Sequence, residues 1–228
     1  WWGKKVYFVD NEAGTGGNGT MGAPYKYLET AITAARSWDT IYVRPRTPDN
    51  VGGDPQAIVP NTATNWSIAN SKNGVQLIGC GVGYDPRTAA YQTRLQGHAD
   101  VTGTAPLTVL GSYVNLENLS IKRGGSNGVP LVNFYTTSSV INCFGGTVNN
   151  CRFHMGNGTT ASTGAMQIES YWYAVIANSY FDRCSVAIGI SSSTSEPVGI
   201  RITGNTFCLT AASNYGDIWS TGGVVRIL

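Results

Sequence analysis

One six-residue pattern, apolar–any–Asn or Gly–any–any–apolar, returns five times along this chain and constrains its fold more than any other feature. It reads LIGCGV from Leu77, LENLSI from Leu116, VNNCRF from Val148, IANSYF from Ile176 and ITGNTF from Ile202. Successive starts are 39, 32, 28 and 26 residues apart. A motif that stays constant while its period varies describes a solenoid, in which strands are kept and loops change length. Between the motifs lie further short apolar runs, LTVL at 107–110, LVNF at 131–134, SVIN at 139–142 and VAIGI at 186–190, with no helical periodicity between them. Two or three short strands per repeat make one turn of a β-helix.

Stacking then follows from ordinary strand spacing, with coils about 4.8 Å apart. Leu77, Leu116, Val148, Ile176 and Ile202 are expected to form one inward apolar ladder, and Val82, Ile121, Phe153, Phe181 and Phe207 a second. Gly79, Asn118, Asn150, Asn178 and Gly204 fall together at a bend, because Asn and Gly tolerate the left-handed backbone that a bend needs. Stacked Asn amides are expected to bond from coil to coil. The fold class is therefore all-β, a right-handed parallel β-helix with a short N-terminal capping α-helix.

The first 45 residues read differently from the rest. VYFV at 6–9 is a strand, DNEAGTGGNGT at 10–20 a glycine-rich loop, and YKYLETAITAAR after Pro24 a helix of about three turns with one apolar face. TIYVRP at 40–45 is the next strand. Residues 1–45 are thus expected to cap the solenoid, and 46–228 to be its coils in one continuous domain.

Composition agrees with a turn-rich solenoid. Charged residues make up 12% of the chain, half the usual share, and there are 29 glycines. The net charge of +2, without Lys/Arg runs, argues against a nucleic-acid partner, and no apolar stretch is long enough to span a bilayer. The five cysteines form no CxxC pair, so a zinc site is not expected, and they read mostly as small buried apolar residues; no metal and no other cofactor is expected elsewhere.

VDNEAGTGGNGT, followed by APYKYLETAITAA and then DTIYV, resembles the N-terminal opening of the pectin-lyase-like β-helix superfamily, and NCRF and NSYF resemble its coil motifs. The resemblance covers nearly the whole chain. It implies the fold, and it leaves activity open, because the superfamily holds polysaccharide lyases, glycoside hydrolases, phage tailspikes and virion proteins without catalysis. Calcium-dependent lyases of that superfamily use clustered Asp residues, and no such cluster occurs here.

Candidate chemistry is sparse. Directly after the second apolar position stand Lys122, His154, Asp182 and Cys208, which would form one outward column. His154 beside Asp182 is either an acid–base pair or part of a surface ladder of compatible charges. Glu169 is a third catalytic candidate, and Arg123 and Arg183 read as surface or interface residues. Asp10, Glu12 and Asn18 are either oxygen ligands for a cation or simply a turn. Tyr171, Trp172 and Tyr173 are placed to stack on sugar, to meet a partner chain or to pack in the core. Asn118, Asn150, Asn178, Phe153, Phe181 and Phe207 are structural.

The apolar final segment GGVVRIL, and Trp1 and Trp2 at the other end, lead to an expectation of assembly. The resemblance makes that a homotrimer. The function expected first is a structural or adhesive β-helix of a virus particle, a phage head decoration, fibre or short tailspike-like protein without catalysis of its own. It would sit on the virion surface or outside the cell, with other virion proteins and a cell-surface polysaccharide as partners. The alternative is a secreted or virion-borne polysaccharide lyase or glycoside hydrolase acting on the outer face of the coils.

Overall fold

The computed structural model describes residues 4–47, 57–62, 64–80, 93–98, 100, 103–123, 129–135, 143–154, 164–169, 171–182, 184, 186–191, 197–208, 218–220 and 224–227. Among the described residues it is a right-handed parallel β-helix, with three long parallel sheets running along the solenoid in strict sequence order and a fourth, two-stranded parallel sheet of Cys143–Phe144 and Tyr171–Trp172. The first sheet has eight strands, from Val6–Val9 through Thr40–Val43, Gln76–Gly79, Asn115–Glu117, Thr147–Asn149, Val175–Ala177 and Val198–Thr203 to Val224–Ile227. The second has five: Thr93–Gln96, Leu119–Lys122, Arg152–His154, Tyr180–Asp182 and Thr206–Cys208. The third has six, from Trp66–Ile68 to Ile218–Ser220.

The motif positions stack as the repeat dictates. In the first sheet Ile41, Leu77, Leu116, Val148, Ile176 and Ile202 are partners in register, and all are buried. In the second, Leu95, Ile121, Phe153, Phe181 and Phe207 form the inward ladder. Phe153 and Phe181 stack at 4.9 Å and Phe181 and Phe207 at 5.2 Å between ring centroids. Phe207, on the last of these strands, is only partly buried. Val82 lies outside the described residues, as do SVIN at 139–142, Trp1 and Trp2.

The bend between the first and second sheets is left-handed at Asn118, Asn150, Asn178 and Gly204, with φ of 56°, 50°, 50° and 62°. Gly79 departs from this expectation: it ends a strand and its φ is not positive. A Cβ there would stand 2.3 Å from the Asn118 carbonyl oxygen, so close backbone approach and not turn geometry selects glycine. The amide ladder is also less uniform than its spacing implies. Asn150 Nδ2 donates to Asn118 Oδ1 at 2.6 Å, but Asn178 Nδ2 donates to Asn149 Oδ1 at 3.0 Å.

The capping helix spans Leu28–Ala34, shorter than the three turns expected. Tyr25 is held by the first sheet, donating its N–H to the Phe8 carbonyl and accepting from Asp10, so the residues after Pro24 are extended. At the other end Arg36 N–H is taken by Asp39, a buried carboxylate that also accepts from Lys5 N–H. Leu28, Ala31 and Ile32 face the core. Glu29 ties the helix to the coils through Asn61 N–H at 2.8 Å and Trp66 Nε1 at 3.2 Å, and the Lys72 ammonium satisfies the carbonyls of Thr33 and Ala35.

Candidate functional site: the outer face of the second sheet

Alternation along the second sheet turns every other side chain outward. Two outward columns result. One runs Arg94, Ser120, Arg152, Tyr180, Thr206, and the next Gln96, Lys122, His154, Asp182, Cys208. Lys122, His154 and Asp182 are therefore direct neighbours on three successive coils. A cleft of about 190 Å³ opens between the columns, lined by Arg94, Ser120, Lys122, Arg152 and His154. Ser120 forms its floor, since a short side chain between two arginine rungs leaves the space unfilled.

Asp182 organises one wall. Its Oδ2 lies 2.8 Å from His154 Nδ1 and 3.0 Å from Arg152 Nη2, and its side chain is 14% exposed. Burial raises the Asp182 pKa, but the hydrogen bonds from His154 and Arg152 outweigh it, and the carboxyl is held below its usual range. Arg152 also sits 5.7 Å from the Tyr180 ring centre. With Nδ1 committed to Asp182, Nε2 is the imidazole nitrogen left for a ligand. Among the described residues the cleft gathers three basic side chains, Arg94, Lys122 and Arg152, which suits it to an anion, and the imidazole held by Asp182 is placed to move a proton.

The other sequence candidates are not brought to this place. Glu169 lies on the third sheet, opposite Ser191, and burial alone raises its pKa. It shares no face with Asp182, so no pair of carboxylates of the kind a glycosidase uses forms from them. Tyr171 is no surface contact: it is fully buried, edge-on to Phe134 at 5.3 Å, and its hydroxyl donates to the Gly111 carbonyl at 2.6 Å. Trp172 is half-buried edge-on to Phe144, and only Tyr173 of the three is exposed.

Arg123 is buried instead of on the surface, with its guanidinium Nη2 on the Val129 carbonyl and its pKa lowered by desolvation. Arg183 lies outside the described residues. The glycine-rich loop does not gather oxygen ligands either. Asp10 pairs with Arg44 at 2.7 Å, Glu12 accepts from Thr47, and Asn18 accepts from Thr20. Among the described residues no cluster of His, Cys, Asp and Glu is arranged to hold a metal. Cys143, Cys151 and Cys184 are buried as expected, whereas Cys80 and Cys208 are exposed.

Sequence reasoning missed Arg94, Ser120 and Arg152. Their signal was present: each stands immediately before an inward ladder residue, on the same outward face as the Lys122–His154–Asp182 column.

No protein-family profile and no curated protein sequence matches this chain. Among solved structures it is similar to pectate lyase Pel9A, with a TM-score of 0.51 and 18% identity, over 89% of this chain and 47% of that one. The chain thus spans about half the length of that pectate lyase. It is also similar to the pectin methylesterase from Aspergillus niger, with a TM-score of 0.47 and 12% identity over 97% of this chain and 74% of the other. For a rhamnogalacturonan lyase the TM-score is 0.43 and the identity 14%, over 98% and 62%. The chain has the pectin-lyase-like right-handed parallel β-helix fold.

Proposed function

We propose that this protein is a carbohydrate-active β-helix that holds an acidic polysaccharide against the outer face of its second sheet. The observation that carries the reading is the cleft in which Arg94, Lys122 and Arg152 surround a serine floor beside an Asp182-held histidine. Uronate carboxylates match that charge, and the sugar C–H faces tolerate the aliphatic stems of the basic side chains. Likeness of fold to a pectate lyase raises the weight of a uronate polymer as ligand.

If the bound polymer is also cleaved, the chemistry these residues support is β-elimination. The cations neutralise the uronate carboxylate and so acidify the adjacent C–H. His154 Nε2 takes that proton, the electron pair becomes a new carbon–carbon double bond, and the glycosidic oxygen leaves with a proton returned from the imidazolium. Asp182 stabilises the charged imidazole throughout. A particle-borne adhesin uses the same cleft for binding without turnover.

The test is binding of polygalacturonate and other uronate polymers, by affinity electrophoresis, alongside the near-ultraviolet absorbance of an unsaturated product. Lys122→Ala combined with Arg152→Ala is expected to weaken binding at least roughly tenfold, since each charged hydrogen bond contributes about 1.5–3 kcal/mol. His154→Ala is expected to keep binding and lose any product. Binding absent from all uronate polymers, or unchanged in the double variant, overturns the reading.

A further inference from the structure

A second periodicity marks the corner where each coil turns from the third sheet into the first. Three residues before each inward ladder residue of the first sheet, from Ile41 to Ile202, the backbone is left-handed: Trp38, Gly74, Tyr113, Gly145, Tyr173 and Gly199, with φ of 71°, 68°, 58°, 69°, 57° and 69°. Backbone hydrogen bonds step from rung to rung, from Trp38 N–H to Asn73 O at 2.7 Å, Gly74 N–H to Ser112 O at 2.7 Å, Gly145 N–H to Trp172 O at 2.8 Å and Tyr173 N–H to Val198 O at 2.7 Å. Aromatic residues and glycines alternate along this edge.

The alternation has a steric cause. A Cβ on Gly74 would stand 2.1 Å from the Trp38 ring, one on Gly145 2.4 Å from Tyr113, and one on Gly199 2.6 Å from Tyr173. Each ring therefore lies across the glycine of the following coil, with one face on its backbone. Trp38, Tyr113 and Tyr173 remain 47%, 50% and 56% exposed, so core packing does not account for them. Trp38 and Tyr113 lie 5.8 Å apart with their planes 24° from parallel. A left-handed backbone strains an L-residue and does not strain glycine, which is used at the alternate rungs. Strain repeated at three exposed aromatic positions points to a use for the rings.

We propose that this strip is a binding platform for a neutral, linear polysaccharide of equatorially linked pyranoses, lying along the solenoid axis. The apolar C–H face of such a sugar carries the partial positive charge that the face of an aromatic ring attracts. The 5.8 Å between the Trp38 and Tyr113 rings is comparable to one pyranose unit of an extended chain, and Tyr173 continues the row two coils on, its backbone roughly 10 Å further at ordinary strand spacing. The glycines keep the surface flush between rings. The Lys4 ammonium lies 5.9 Å from the Trp38 ring. The strip is separate from the basic cleft, which lies on the second sheet.

The experiment uses the full chain with cellohexaose and xylohexaose as probes, read by calorimetry and by indole fluorescence. Tyr113→Gly and Tyr173→Gly remove a ring while supplying the residue that the alternate rungs already use, so the fold is retained, which thermal melting checks. Each is expected to weaken binding roughly 2- to 10-fold, and Tyr113→Phe to preserve it. The cleft variant Lys122→Ala/Arg152→Ala is expected to bind both probes as the parent does. The proposal is overturned if the parent binds neither hexasaccharide, if the glycine variants bind as well as the parent, or if the cleft variant abolishes binding. It is equally overturned if the glycine variants instead abolish self-association of a parent that binds no sugar, which would assign the strip to a second copy of the chain.

Discussion

His154 and Asp182 stand opposite one another on successive coils, 28 residues apart in sequence, with Nδ1 of the one 2.8 Å from Oδ2 of the other. The same oxygen receives Arg152, so a single carboxylate fixes both the imidazole and the guanidinium. Replacing it by an amide removes the charge and leaves two donors competing for one weaker acceptor. Asp182→Asn is expected to lower stability at neutral pH by about 1–3 kcal/mol, measured by denaturant unfolding.

The acid dependence of that difference follows from the lowered pKa of Asp182. A carboxyl depressed in the folded state contributes stability that is fully present above its unfolded value of about 3.9 and is lost as pH falls through the lower folded value. Melting curves of the parent and of Asp182→Asn are therefore expected to differ at pH 7 and to converge below about pH 4. A gap that persists undiminished into strong acid would contradict the assigned ion-pair geometry.

Glu169 behaves in the opposite sense. Desolvation raises its pKa, so the folded state favours the protonated form, and the benefit of that proton is lost as pH rises through the folded value. Glu169→Gln is expected to raise the melting temperature at neutral pH, with the gain vanishing below about pH 4. If Glu169 were instead a catalytic acid of the basic cleft, the same variant would abolish turnover. Its place on the third sheet predicts that it does not.

Phe181 is sandwiched between Phe153 and Phe207 and is fully buried. Phe181→Ala is expected to cost about 3–5 kcal/mol. Phe207→Ala is expected to cost distinctly less, because that ring is only partly buried. Equal losses in equilibrium unfolding would show that the ladder's last rung is as enclosed as its middle.

Asn150 combines a left-handed backbone with a 2.6 Å bond to Asn118. Asn150→Gly loses the bond alone, about 0.5–1.5 kcal/mol, whereas Asn150→Ala adds about 1–2 kcal/mol of backbone strain. The order parent, glycine, alanine in denaturant midpoint is the expected outcome.

Much of the architecture is legible in the amino-acid sequence. The repeated motif alone aligns Leu116 with Val148, Phe153 with Phe181 and His154 with Asp182, because parallel stacking puts equal motif positions at equal heights. The aromatic corner is equally written in the chain, three residues ahead of each inward ladder residue of the first sheet, although only its left-handed conformation makes Trp38, Tyr113 and Tyr173 stand out from other aromatics.

What the chain by itself determined is this register: a period-two strand with a constant motif admits one inward set, and a slip by one residue would turn Phe181 out and Asp182 in. Tertiary structure alone decided which faces meet. The backbone path puts Glu169 on a third-sheet strand and Asp182 on a second-sheet strand, and the corner between Tyr171 and Tyr173 sends the first ring into the core and leaves the second in solvent. Arg152 reaches Asp182 on the adjacent coil because parallel pairing sets Tyr180, two residues before that carboxylate, directly opposite it. Local alternation fixes inside and outside within one strand, but the path of the backbone between strands sets which outsides share a surface.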